Sequence, residues 1–230
     1  MPKTNILAEL KATYEKLDAY AIDLATKAKA TCTKGCSNCC YMLSLATGVE
    51  GANIGVFLLN NLDDTEFEAM LKDLRTQALR AVFPGMNNSK YFNRQVKCAF
   101  LSDKNLCSIY EVRPAACRYH FVISPPVNCS PLALDTTTRA IDFRQLEAMV
   151  WELDIEINGA PMMAPIPLAV FFGLKLLLRS GGHPKLLEMV DRMSEGVLTP
   201  EEWMEQHGPR VAESTIKGTG KPIRMTLAEK

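Results

Sequence analysis

A stretch of nine residues that contains four cysteines constrains this chain more than any other feature of its sequence. It runs from residue 32 to residue 40 and reads Cys-Thr-Lys-Gly-Cys-Ser-Asn-Cys-Cys. A second group of thiols, Cys98, Cys107 and Cys117, follows further along the chain, and Cys129 is the eighth cysteine. Buried free cysteines behave as small apolar residues and need not cluster, whereas thiolates at short spacing bind soft metals. The two groups therefore predict a cysteine-ligated metal site.

The composition narrows the class of protein. A chain of 230 residues buries a sizeable core without disulfide bonds, and 47% hydrophobic residues is typical of soluble proteins. The formal net charge is zero and no basic stripe carries interleaved aromatic residues, so we expect no nucleic-acid partner. The N-terminus lacks the pattern of a signal peptide, and the longest apolar run, residues 166–178, is too short for a membrane span. We therefore expect a cytoplasmic protein without membrane contact, whose thiols are reduced, with disulfide bonds as the alternative.

Hydrophobic periodicity predicts the fold class. Apolar residues recur three and four apart through most of the chain, which indicates helices, and no convincing run of alternating residues indicates strands. The expected fold is mainly α, an irregular helical bundle around the metal site with little β structure. We expect a single helical domain over residues 1–207, with its cysteine core at about 30–125, and a loose C-terminal tail over 208–230.

Individual helices can be placed from the same pattern. Residues 3–29 form a helix with one narrow apolar stripe, which is expected to pack on another helix of the chain; a dimer through this helix is the alternative. Asp63 or Asp64 is expected to cap a helix that begins directly after it. The helix at 168–179 is apolar nearly all round, which indicates a central position. Further helices are predicted at about 50–60, 139–156 and 184–193.

One segment of the second thiol group resembles a known family. Residues 107–118 read Cys-Ser-Ile-Tyr-Glu-Val-Arg-Pro-Ala-Ala-Cys-Arg. This resembles a signature of the cysteine-cluster proteins described as zinc- or iron-chelating, some of which are called iron–sulfur proteins. In that family the signature follows a cysteine-rich loop ending in Cys-Cys. The resemblance covers roughly residues 30–125, and Glu50 matches an acid found after the first loop. The other matched positions are Cys32, Cys36, Cys39, Cys40, Cys98, Cys107, Tyr110, Arg113, Pro114, Cys117 and Arg118.

The resemblance implies that the seven matched cysteines bind a metal or an iron–sulfur cluster, and it leaves the activity mostly undefined. A flagellin lysine methylase carries a related cluster, which suggests redox or methyl-transfer chemistry. The sequence contains no Walker loop, dinucleotide-binding glycine pattern or serine nucleophile motif, so catalytic residues are unknown and enzymatic activity stays open. The expected partner is an unidentified protein or a small substrate.

The spacing of the thiols bears on the choice of metal. Four thiolates close a tetrahedral zinc site or hold a four-iron cluster. The first loop supplies Cys32, Cys36 and Cys39, and three thiolates from one loop with a distant fourth are common in four-iron clusters. We therefore expect a 4Fe-4S cluster, with zinc as the alternative in a helical adaptor or metal-buffering protein without catalysis. The same spacing of three cysteines also occurs in the first motif of radical SAM enzymes. Those enzymes need a barrel of strands and helices, which the helical pattern of this chain does not provide.

Some thiols do not fit a single site. Neighbouring Cα atoms are only about 3.8 Å apart and consecutive side chains tend to diverge, so Cys40 serves a second metal, replaces Cys39 or stays unliganded. One cluster with spare thiols and two separate sites both stay open. Cys129 is either a ligand or a bystander thiol. His120 is interpreted as a hydrogen-bonded structural residue rather than a ligand.

Three other residues are candidates for contact with the cofactor. Arg113 and Arg118 flank Cys117, where guanidinium groups would offset the negative charge of a thiolate-bound cluster and donate hydrogen bonds to sulfur. Ion pairs with Glu50 or Glu111 are the alternative role for these arginines. Tyr110 is expected to pack over the site.

Overall fold

The computed structural model of the chain describes residues 6–33, 35–82, 86, 88–130, 138–158, 162–181, 183–199 and 201–206. The α-helices are α1 (Ile6–Lys27), α2 (Gly48–Asn61), α3 (Asp64–Ala81), α4 (Asn88–Asn93), α5 (Ala115–Arg118), α6 (Arg144–Asn158), α7 (Ile166–Gly181) and α8 (Pro184–Met193). The strands are β1 (Leu45–Thr47) and β2 (Met163–Pro165), and 3₁₀ turns lie at Asn38–Tyr41, Tyr110–Val112 and Pro126–Cys129. This mainly helical structure confirms the predicted fold class. The predicted tail over 208–230 lies outside the described residues.

Helix α1 packs along its predicted stripe. Leu10, Tyr14, Leu17 and Ala21 recur three and four apart and are buried, in contact with α2 and α6. The stripe therefore belongs to the core of the chain, as the main prediction stated. The dimer through α1 stays a prediction. Among the described helices, none combines the length and the apolar character that a membrane span requires.

The helix pair α2 and α7 forms the centre of the fold, and the two backbones approach each other closely. A Cβ atom added to Gly51 would lie 2.1 Å from the carbonyl oxygen of Ala169, and one added to Gly173 would lie 2.3 Å from the nitrogen of Ala52. Only glycine allows helices to approach this closely. Helix α7 also contacts α3 and α8, which confirms its predicted central position. Its most deeply buried residues are Leu168, Ala169, Val170, Leu174 and Leu178.

A short antiparallel strand pair fixes the chain that leaves the cysteine loop. Strand β1 ends where α2 begins, and β2 ends where α7 begins, so the pair joins the N-termini of the two central helices. The sequence does not predict either strand, because three residues are too short to show alternation. The paired residues are Leu45 with Pro165, Ala46 with Ala164 and Thr47 with Met163.

Local sequence signals predict the start of α3 correctly and the start of α6 incorrectly. The side chain of Asp63 accepts hydrogen bonds from the backbone nitrogens of Thr65 and Glu66, which confirms the predicted cap. Helix α6 begins at Arg144, and the prediction that it begins at residue 139 is wrong. The chain is extended there because Ala140 forms an antiparallel bridge with Val122, a long-range contact that periodicity does not reveal.

Candidate metal centre

One cavity of about 540 Å³ lies between the cysteine loop and the second thiol group. All eight cysteines of the chain are free thiols. The structure thus places two distant groups of thiols around one cavity, and their ligation of a metal stays a prediction. The cysteines that line the cavity are Cys32, Cys36, Cys39, Cys40, Cys98, Cys107 and Cys117.

Backbone hydrogen bonds hold the two thiol groups together. The nitrogen of Cys98 donates to the carbonyl oxygen of Cys40 at 2.8 Å, which fastens the end of the cysteine loop to the second group. Leu101 and Cys107 form an antiparallel bridge, so the intervening turn brings Cys107 back towards Cys98. Cys117 lies on α5, a single helical turn that starts after a proline. These short elements carry no apolar periodicity of their own and exist because tertiary contacts fix them.

The sulfurs are distributed around the wall of the cavity. No three His, Cys, Asp or Glu side chains of the described residues are grouped tightly enough to hold an ion as they stand. The four ligands of a zinc ion lie only about 2.0–2.3 Å from it, so they would have to move inward to bind one ion. The cavity volume falls within the range of about 300–1,000 Å³ that small-molecule and cofactor sites occupy. The donor set itself, thiolates in a partly buried pocket, fits zinc or iron.

Burial controls the protonation of the inner thiols. Burial raises the pKa of Cys98 to about 11, with the neighbouring Cys107 adding to the effect. Burial likewise raises the pKa of Cys107 and of Cys117. These thiols therefore stay protonated at neutral pH without a metal, and a coordinating cation would deprotonate them. Metal loading is then expected to release protons.

The thiols of the vicinal pair Cys39 and Cys40 have pKa values shifted in opposite directions. A hydrogen bond from the Cys40 thiol, aided by the positive charge of Arg113, lowers the pKa of Cys39 to about 7 against the effect of burial. The same hydrogen bond raises the pKa of Cys40 far above its ordinary value. Cys39 is thus the member of the pair that ionises first.

Arg113 and Tyr110 stand together at the rim of the cavity. The guanidinium carbon of Arg113 lies 3.7 Å from the centroid of the Tyr110 ring, and its Nε donates to the carbonyl oxygen of Tyr110 at 3.2 Å. The positive charge of Arg113 lowers the pKa of both Cys39 and Cys107. Arg113 is therefore the arginine whose charge acts on the thiols.

Arg118 also lines the cavity, but its guanidinium is held by the scaffold. Its Nη1 donates to the Asp18 carboxylate at 2.7 Å, and its Nη2 donates to the carbonyl oxygen of Glu111 at 2.6 Å. It also stacks over the ring of Tyr14 at 4.3 Å. The alternative that Arg118 pairs with the Glu50 or Glu111 carboxylate is wrong, because the acid that it meets comes from α1.

Glu50 is a buried connector rather than the partner of an arginine. The residue is 3% exposed, and its carboxylate accepts hydrogen bonds from the Tyr14 hydroxyl and from the backbone nitrogens of Thr47 at 2.7 Å and Ala115 at 2.6 Å. Burial raises the pKa of Glu50, and these hydrogen bonds act in the opposite direction. The carboxylate thereby joins α1, the start of α2 and the turn that carries Cys117. Thr47 and Glu50 form a capping box, a sequence signal that sequence reasoning missed.

Asn38 is a second residue that sequence reasoning missed. Its side chain lies in the cysteine loop and donates to the carbonyl oxygen of Pro126 at 2.8 Å, in the 3₁₀ turn that ends at Cys129. No local signal marks this contact, because the two residues are far apart in sequence. Cys129 is not among the residues that line the cavity. His120 lines it, and burial lowers the pKa of its imidazole.

The family comparison bears directly on these thiols. Residues 31–140 match the family model CxxCxxCC, described as a putative zinc- or iron-chelating domain. The match confirms the family that the cysteine signature resembles. The CxxCxxCC match extends beyond residue 125, where the expected resemblance ended, and so includes Cys129. No curated protein and no solved structure matches the chain.

Proposed function

We propose that this CxxCxxCC protein binds an iron–sulfur cluster of the four-iron type between the cysteine loop and the Cys98–Cys117 segment. The observation that carries the proposal is the single cavity of about 540 Å³ that thiols from both segments line. A water molecule takes up about 30 Å³ in the liquid, so this space is far larger than one ion needs. A multi-atom inorganic centre with thiolates around it uses such a cavity better than a single ion does.

The residues of the cavity suit a negatively charged centre. One sulfur of the vicinal pair, together with Cys98, Cys107 and Cys117, would supply four thiolates. Arg113 places a positive charge beside Cys39 and Cys107, which offsets the charge of the thiolates. Apolar side chains from α7 and from the 98–109 segment limit access of water, among them Phe100, Leu101, Ile109 and Ile166.

When bound, a four-iron cluster supplies one-electron chemistry at a potential set by charge, hydrogen bonding and solvent exposure. In our proposal the protein has a redox role or takes part in methyl transfer, with an unidentified protein or small molecule as its partner. We place it in the cytoplasm, where thiols stay reduced.

Purification under strict exclusion of oxygen tests the proposal. We expect a brown protein with iron and acid-labile sulfide in equal amounts, whose visible absorption is bleached by dithionite. Cys117→Ser removes a thiol from the cavity and is expected to lower the iron content. Ala116→Ser adds a hydroxyl to the same helical turn without removing a thiol, and it should leave the iron content unchanged. A colourless wild-type protein that contains only zinc would contradict the proposal.

A zinc-stapled adaptor or metal-buffering protein is the second candidate, and the surplus of free thiols favours it. In that case the metal contributes folding free energy alone. The protein would be colourless, it would bind zinc, and a competing chelator would remove the metal and unfold the chain.

A further inference from the structure

We propose that the eight cysteines form two four-thiolate centres that meet at the vicinal pair. The inner centre takes its ligands from Cys40, Cys98, Cys107 and Cys117, and it is the centre of the proposed function, on which this part of the inference rests. The outer centre is a further site for a thiophilic metal. Its ligands are Cys32, Cys36, Cys39 and Cys129.

The outer centre is supported by the way Cys129 is held. The 3₁₀ turn Pro126–Cys129 packs against the 3₁₀ turn Asn38–Tyr41 of the cysteine loop. The Nδ2 atom of Asn38 donates to the carbonyl oxygen of Pro126 at 2.8 Å and to the sulfur of Cys36 at 4.0 Å. One amide side chain therefore links a loop thiol to the turn that carries Cys129.

The beginning of the loop is fastened to the same part of the chain. The nitrogen of Thr31 donates to the carbonyl oxygen of Val122 at 2.8 Å, and the nitrogen of Val122 donates to the sulfur of Cys32 at 3.4 Å. Cys32 and Cys36 are thus held against the segment that leads to Cys129, which is a different segment from the one that carries Cys98 and Cys107.

The inner centre is supported by the backbone of Cys40. Its carbonyl oxygen accepts the hydrogen bond from the nitrogen of Cys98, so Cys40 is fastened to the second thiol group. Cys40 is therefore assigned to the inner centre, and Cys39 to the outer centre because Asn38, the residue before it, bonds to the turn that carries Cys129. This assignment explains why the loop ends in two adjacent cysteines.

The spacing of the outer thiols suits the same chemistry. Three cysteines at spacings of four and three, with a fourth from a distant segment, can hold a four-iron cluster, and four thiolates also bind zinc. In ferredoxins with two clusters, a cysteine that continues the run of one cluster binds the other cluster. The vicinal pair would serve two centres in the same way.

The test is the amount of metal bound per chain, measured on full-length protein purified without oxygen. We expect Cys129→Ser to lose about half of the wild-type metal, because one of two four-thiolate centres is broken. Cys36→Ser should lose the same half, and the double variant should lose no more than either single variant. Val127→Ala changes the same turn at a side chain that is 65% exposed and removes no thiol, so it should keep the full amount.

The outcomes separate this inference from the proposed function. Full metal content in Cys129→Ser, or complete loss of metal from it while circular dichroism shows a folded chain, would overturn the two-centre assignment. Two zinc ions per chain, of which Cys129→Ser keeps one, would support the assignment and contradict the iron–sulfur function. One cluster per chain that is unaffected by Cys129→Ser would support the iron–sulfur function and contradict the two-centre assignment.

Discussion

The Cys39 thiol has a lowered pKa although it is buried, because Cys40 donates a hydrogen bond to it. In the metal-free protein, alkylation of Cys39 by iodoacetamide should therefore increase through about pH 7 and level off above it, since the thiolate is the nucleophile. Cys40→Ala removes the donor and should move this midpoint upward, whereas Cys40→Ser keeps a hydroxyl donor and should move it less. Peptide mass spectrometry measures the rate at each pH. A wild-type midpoint of about 8.5, the ordinary pKa of a thiol, would contradict the prediction.

Glu50 accepts hydrogen bonds from three buried donors. Glu50→Ala leaves the Tyr14 hydroxyl and the backbone nitrogens of Thr47 and Ala115 without this acceptor, at roughly 1–3 kcal/mol for each buried group. We expect the free energy of unfolding in urea to fall by about 3 kcal/mol or more. Glu66→Ala removes the equivalent capping-box residue of α3 at an exposed position, where water replaces the lost bond, and it should cost much less. Equal losses for the two variants would show that Glu50 is not a connector.

At the scale of secondary-structure elements, the position of the cysteine loop depends on the contact between α2 and α7. Gly51→Ala places a methyl group against the backbone of Ala169, which cannot move without separating the helices. We expect it to lower the free energy of unfolding by about 3 kcal/mol, at the upper end for overpacking. Gly55→Ala lies one turn further along α2 and meets only side-chain atoms, at 3.2 Å from Leu174. It should be tolerated much better. Thermal unfolding of both variants measures the difference, and similar midpoints would contradict the prediction.

The sequence alone predicts the secondary-structure elements that depend on local residues and misses those that depend on distant partners. The stripe of α1 and the cap of α3 were predicted correctly because they depend on residues within one helix. Strands β1 and β2 were not predicted, and α6 was started too early, because each depends on a partner segment distant in sequence. Arg118 illustrates the same limit, since its true partner, Asp18, comes from α1 and nothing local indicates it.

At the scale of the whole molecule, the sequence predicted that the two groups of thiols would meet, and they line one cavity, while their ligation of a metal stays a prediction. The dense first loop indicated a thiol site, because few chains place thiols this densely for packing alone, and the family resemblance implied the full set of seven cysteines. Spacing did not show that Asn38 links the loop to the Cys129 turn or that Glu50 connects α1 to the turn of Cys117. These contacts arise only when α1, α2 and the central segment fold together.

X-ray absorption spectroscopy at the iron and zinc edges, on protein purified without oxygen, tests the central claim most directly, because it reports which atoms surround the metal. The account predicts iron surrounded by sulfur, with neighbouring iron atoms in a second shell. Metal bound only through oxygen or nitrogen, or a folded protein that binds no metal at all, would contradict it.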